Sequence, residues 1–130
     1  MTQQEAVRRW LKGAQEAWDT AQMLFAAKRF NHCLFFAQLY LEKLIKALHF
    51  YLRNDYPLPA HNLVQLLKKI GVKINKTQEL ELRTITRFNI TARYYEEKQE
   101  VYRLANRRYT KMWLAKAEKL GKFIKFFFNQ

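Results

Sequence analysis

At 130 residues the chain is long enough to bury one hydrophobic core and too short for two. Its 24 Lys and Arg against 11 Asp and Glu give a formal charge of +13, yet 49% of its residues are hydrophobic and 15% aromatic, far too apolar for a disordered polycation. Three glycines and two prolines are too few for the turns of an all-β chain, and a lone cysteine, Cys33, excludes an intrachain disulfide and a Cys-rich zinc site.

The pattern predicts helices throughout. From Ala6 to Phe25 the apolar residues Val7, Trp10, Leu11, Ala14, Ala17, Trp18, Ala21, Leu24 and Phe25 recur in steps of three and four. That is one face of a long amphipathic helix, ending at Lys28-Arg29 where cations suit the carbonyl end of the dipole. A second helix runs from about Phe30 to Arg53 and is apolar almost all round, so it must be covered on more than one side. Glu42 and Lys46 can pair one turn apart on it. Asn54-Asp55-Tyr56-Pro57-Leu58-Pro59 holds both prolines and breaks the chain. A short helix follows from Asn62 to Ile70, stopped by Gly71. Thr77 is the expected cap of a fourth helix reaching Tyr94, with Leu82, Ile85, Phe88, Asn89 and Ala92 inward. Glu96 to Glu100 reads as a loop, and a fifth helix is expected from Tyr102 to Phe127, with Ala105, Tyr109, Met112, Trp113, Leu120 and Ile124 inward. The expected fold is a single all-α domain over residues 1–130. It is an antiparallel up-and-down bundle of four long helices and a short one.

Several chemistries are excluded by pattern. The histidines, His32, His49 and His61, have no metal-ligand spacing, and glycines at 13, 71 and 121 cannot form a phosphate-cradling loop. No metal or cofactor is expected and no catalytic residue is nominated. The start, Thr2-Gln3-Gln4-Glu5, is unlike a signal peptide, and Glu42, Lys43 and Lys46 interrupt the apolar run from Leu39 to Leu52. The expectation is a cytoplasmic protein with no membrane span.

Specific residues then carry a resemblance. Ala17-x-Asp19-x-Ala21 and the basic turn Lys28-Arg29 lead into Phe30-Asn31-His32-Cys33-Leu34-Phe35-Phe36-Ala37, then Leu41-Glu42-Lys43-Leu44-Ile45-Lys46-Ala47-Leu48, and after the break Pro59-Ala60-His61-Asn62-Leu63 with Leu66-Leu67. This run resembles the HEPN family of small prokaryotic all-α proteins, over nearly the whole chain. The resemblance implies a bundle of four or five helices that forms homodimers. It also implies pairing, in many members, with a minimal nucleotidyltransferase as a toxin–antitoxin system. Several members are metal-independent ribonucleases that carry Arg, four to six residues, then His on a late helix. Arg93 lies where that arginine is expected, but no histidine follows His61. The pattern therefore supports the fold and leaves the ribonuclease motif incomplete.

Six of the ten arginines fall between positions 83 and 108. Arg87, Asn89, Arg93 and Tyr94 form the candidate nucleotide or phosphate site, since Asn89 and Arg93 are one helical turn apart and a guanidinium fork suits phosphate. Arg83, Arg103, Arg107, Arg108 and Lys111 form the candidate basic surface, with Tyr94, Tyr95, Tyr102 and Tyr109 interleaved as stacking rings for RNA. His61 is either a general base or, the favoured reading, a structural group bonded within its loop, and His49 is expected on a helix surface. The Phe123–Phe128 tail is aromatic on all sides, which suggests a dimer or partner contact. Three functions remain: a nucleotide- or RNA-binding component of a nucleotidyltransferase pair, a divergent metal-independent endoribonuclease toxin, and a non-catalytic dimeric interaction module.

Overall fold

A computed structural model describes residues 1–89 and 95–129. Among them are six α-helices, a final 3₁₀ turn and no strand. The first helix, α1 (Gln3–Ala26), is capped by the Thr2 hydroxyl, which accepts the Glu5 N–H at 3.1 Å. It ends where the Arg29 N–H reaches the Leu24 carbonyl at 2.8 Å and the Lys28 N–H reaches Phe25 at 3.0 Å. That closure holds Lys28 at φ 60°, a left-handed backbone that crowds its Cβ.

The chain returns as α2 (Phe30–Arg53), antiparallel to α1. Phe25 meets Phe30 at 5.6 Å between ring centroids, Trp18 meets Tyr40 at 4.9 Å, and Trp10 meets Phe50 at 6.5 Å. The buried residues of α1 are Ala6, Ala14, Ala17 and Ala21, small enough to let α2 approach closely. The larger Trp10, Leu11 and Trp18 flank that stripe and are half-buried. At the far end Gln3 Nε2 donates to the Phe50 and Tyr51 carbonyls at 2.8 and 3.1 Å, tying the start of α1 to the last turn of α2, where Phe50 also accepts the Asn54 N–H. Leu34, Leu41, Leu44, Ile45 and Leu48 are fully buried, so α2 is the central helix, as its all-round apolarity requires.

Asn62 caps α3 (Leu63–Lys69) by accepting the Gln65 N–H at 3.0 Å, and Gly71 closes it at φ 76°. The next helix, α4 (Lys76–Thr86), starts earlier than expected. Its cap is Asn75 rather than Thr77, in a reciprocal box with Gln78 at 2.7 and 3.0 Å. It also stops at Thr86, well short of Tyr94. The Thr86 hydroxyl accepts the Leu63 N–H at 3.1 Å, which docks α3 onto it. Beyond it the N–H groups of Arg87, Phe88 and Asn89 bond carbonyls three residues back, a tightening that ends the α-helix.

The polar run expected to be a loop is a helix, α5 (Tyr95–Leu104), whose buried apolar residue is Val101. Glu, Lys and Gln are good helix formers even where no stripe is buried. The expected fifth helix is therefore two. The Asn106 side chain accepts the Tyr109 N–H at 2.8 Å and starts α6 (Arg107–Phe126), followed by the 3₁₀ turn Phe127–Asn129. Four long helices plus a short one thus becomes three long helices and three short ones among the described residues. Met112, expected inward, is 46% exposed.

Helix α6 runs parallel to α2. Gly121 faces Tyr40, and further along Phe128 meets Tyr51 at 5.2 Å. A Cβ on Gly121 would lie 2.8 Å from atoms of the Tyr40 ring, so the close approach requires glycine there. Helix α4 runs antiparallel to α6, with Lys116 bonded to Glu81 at 3.0 Å and Phe88 against Tyr109 and Trp113. Among the described residues no helix is long and apolar enough to cross a membrane.

Candidate functional site

Two arrangements of polar side chains stand out, one inside and one at the surface. The interior one is built on Glu42, buried in the middle of α2. Its Oε2 accepts from Lys46 Nζ at 2.9 Å. Its Oε1 accepts from Gln38 Nε2 at 3.0 Å and from His61 Nδ1 at 2.9 Å. Gln38 Nε2 also reaches the His61 carbonyl at 3.1 Å, so the segment after the prolines is held to α2 from both side chain and backbone. Burial alone would raise the Glu42 pKa. The hydrogen bonds from Lys46, Gln38 and His61, with the Lys46 charge, outweigh it and hold the carboxyl below its ordinary value of 4.5. The Lys46 ammonium also lies 5.6 Å over the Trp10 ring.

His61 thus makes a structural bond of the kind favoured from the sequence, although it runs to a buried carboxylate rather than within its own loop. His49 corrects an expectation: it is buried, and its Nε2 bonds the Asp55 carboxylate. Burial pushes the Cys33 thiol up to about 12, which leaves it protonated and inert.

The surface arrangement concerns the predicted arginines. Arg93 and Tyr94 lie outside the described residues. Asn89 is buried at 2% exposure, out of reach of a ligand on the surface, whereas Arg87 is exposed at the end of α4. Arg87 pairs with Glu100 at 3.6 Å, and Arg83 binds Glu79 through Nε and Nη2 at 3.1 and 3.0 Å. That hydrogen bond from Arg83 holds the Glu79 carboxyl below its ordinary value. Arg103 lies on α5 beside Glu96, Gln99 and Glu100. Carboxylates thus pair with or border three of the expected cations.

The remaining three are different. Arg107, Arg108 and Lys111 line one shallow depression with Met112 and Ala115, and no carboxylate among the described residues pairs with them. The Arg107 guanidinium lies 5.3 Å over the Phe25 ring, and Phe25 packs on Phe30. That contact brings the exposed Lys28 and Arg29 turn beside the first turn of α6. No sequence pattern signals this junction, because Phe25 and Arg107 are far apart in the chain.

The HEPN domain profile matches residues 7–126. The chain belongs to the HEPN family. The fold of this HEPN chain is similar to the crystal structure of TT1696 from Thermus thermophilus. The TM-score is 0.77 at 20% identity, over 93% of this chain and 97% of that one, a likeness that concerns the fold. No curated protein matches the sequence. In this HEPN chain the residues that carried the resemblance, Glu42, Lys46 and His61, are those that meet in the buried clamp. By these contacts the motif holds α2 to the segment that begins α3.

Proposed function

We propose that this HEPN chain binds RNA or nucleotide phosphate, as a homodimer working beside a nucleotidyltransferase-type partner, with little or no catalysis of its own. The observation that carries the reading is the group Arg107, Arg108 and Lys111. These cations share one surface and have no carboxylate partner among the described residues. The first turn of α6 also holds no acidic residue. Two arginines at that end are repelled by the helix dipole, and a bound phosphate removes the repulsion while using the free N–H groups. A charge of +13 adds long-range attraction for polyanions. Arg93 and Tyr94 join the proposed site on the sequence pattern, with Arg87 at its edge.

The test is titration with single-stranded RNA and with nucleotides at several salt concentrations. The triple variant Arg107→Ala/Arg108→Ala/Lys111→Ala is expected to lower the slope of log affinity against log salt by about 2. Arg93→Ala is expected to weaken nucleotide binding. Absence of binding at low salt, or an unchanged slope in the triple variant, overturns the reading.

One observation favours a second reading, a metal-independent endoribonuclease. His61 Nδ1 is held by a buried carboxylate while its side chain is 49% exposed, the arrangement of an oriented general base. RNA cleavage in EDTA that disappears in both His61→Gln and Arg93→Ala supports it. No cleavage by the wild type removes it.

A further inference from the structure

The end of the molecule away from the basic group holds a feature that neither reading uses. The start of α1 and the segment after α2 enclose an open cleft of about 660 Å³. Trp10, Phe50 and Tyr56 line it, with Arg9 and Asp55 as its charged side chains. It lies about 22 Å along α1 from Phe25 at 1.5 Å per residue, so it is a separate site.

The aromatic walls are held in place rather than left to collapse. Trp10 is stacked on Phe50 at 26° between planes and lies under the Lys46 ammonium, which Glu42 fixes. Tyr56 stands edge-on to Phe50 at 5.6 Å, yet it is 88% exposed. Its position is set from both sides. Asn54 takes the left-handed turn at φ 53°, and the Asp55 carboxylate accepts from the buried His49. Pro57 restricts Tyr56 itself to extended backbone. The backbone that presents the Tyr56 ring is thus set, which lowers the ordering cost of stacking a second ring on it. Ala6 is the small buried residue of the lining, and it leaves the depth a flat group needs.

The charges select among flat ligands. The Asp55 carboxylate is already engaged by His49, whereas the exposed Arg9 guanidinium has no carboxylate partner among the described residues. We infer that the cleft is a small-molecule site for a planar aromatic anion, its ring against Trp10 and Tyr56 and its anionic group on Arg9. A mononucleotide and an aromatic carboxylic acid share that chemistry, and the probes separate them.

Calorimetric titration of the full chain with adenosine 5′-monophosphate and with 2-naphthoate tests the site. Ribose 5-phosphate serves as the anion without a ring, and adenosine as the ring without an anion. Saturable binding of one or both aromatic anions, with much weaker binding of the two partial probes, is the expected result. Both side chains to be changed are exposed, so Tyr56→Ala and Arg9→Gln are expected to fold. Tyr56→Ala should weaken binding about tenfold from lost stacking, and Arg9→Gln about tenfold or more while erasing the preference over adenosine. Preference for the nucleotide or for naphthoate then names the source. The triple variant Arg107→Ala/Arg108→Ala/Lys111→Ala should leave this binding unchanged, so its failure and that of the RNA reading are separable. No saturable binding of either aromatic anion overturns the inference. Binding that survives Tyr56→Ala and Arg9→Gln, or that is lost in the triple variant, overturns it as well.

Discussion

The middle of α2 and the first turn of α6 both gather cationic side chains, but only one of them supplies the opposite charge. In α2, the buried Glu42 receives Lys46, Gln38 and the half-exposed His61 within hydrogen-bond distance. In α6, Arg107, Arg108 and Lys111 stand in solvent with no carboxylate partner among the described residues. A buried ion must be answered or the fold fails, whereas an exposed one is answered by water and counterions. The first group therefore acts on stability, and the second is free to act on a ligand. Arg83 and Arg87 fall between, because Glu79 and Glu100 pair with them at the surface.

The sharpest way to break this contrast is Glu42→Ala. It leaves the Lys46 charge buried and removes the acceptor shared by Gln38 and His61, and is expected to cost about 3–5 kcal/mol in urea unfolding. A loss under about 1 kcal/mol would mean that water, not Glu42, answers Lys46. Acid should act on the same group. The folded carboxyl titrates below 4.5, so its stabilisation is complete above that value and is lost as pH falls through the folded pKa. Urea midpoints should drop across that acid range, and Glu42→Gln should flatten that part of the slope. A smaller effect tests the turn that carries the basic end. Lys28→Gly relieves the left-handed strain and should raise stability by about 0.5–1 kcal/mol in thermal melts. The smallest change in stability belongs to the triple variant of α6, expected within about 0.5 kcal/mol of wild type. If it melts far below wild type, the cations of α6 are part of the scaffold and the contrast with α2 fails.

Legibility in the sequence followed the range of the deciding contact. Helices α1, α2 and α3 were readable because periodicity, the proline pair and Gly71 are local signals. The Asn75 and Asn106 caps are also local signals, but Thr77 and Tyr102 compete with them as boundaries in the sequence. The early end of α4 was not readable, because Phe88 and Asn89 fit the helical period and are buried. The chain leaves the helix there after a Thr86 hydroxyl that serves Leu63. Of the site, the arginine cluster was visible as composition, but its division into paired and unpaired members depends on Glu79 and Glu100. The clamp, the Phe25–Arg107 contact and the aromatic cleft each join distant segments, and no local pattern announces them.

The glycine at 121 has a reach beyond its own contact. Because the Tyr40 ring occupies the space a Cβ would need, α6 can lie against α2 in one register only. Sliding α6 by one turn would bring Ala117 or Lys125 opposite Tyr40, and either carries the atom that collides. That lock acts on the start of the helix as well, about 21 Å away at 1.5 Å per residue. It sets how far Arg107 extends past Phe25, and so the spacing of the surface cations from the Lys28-Arg29 turn. A single missing methyl group thus serves as the ruler by which the basic end is measured out.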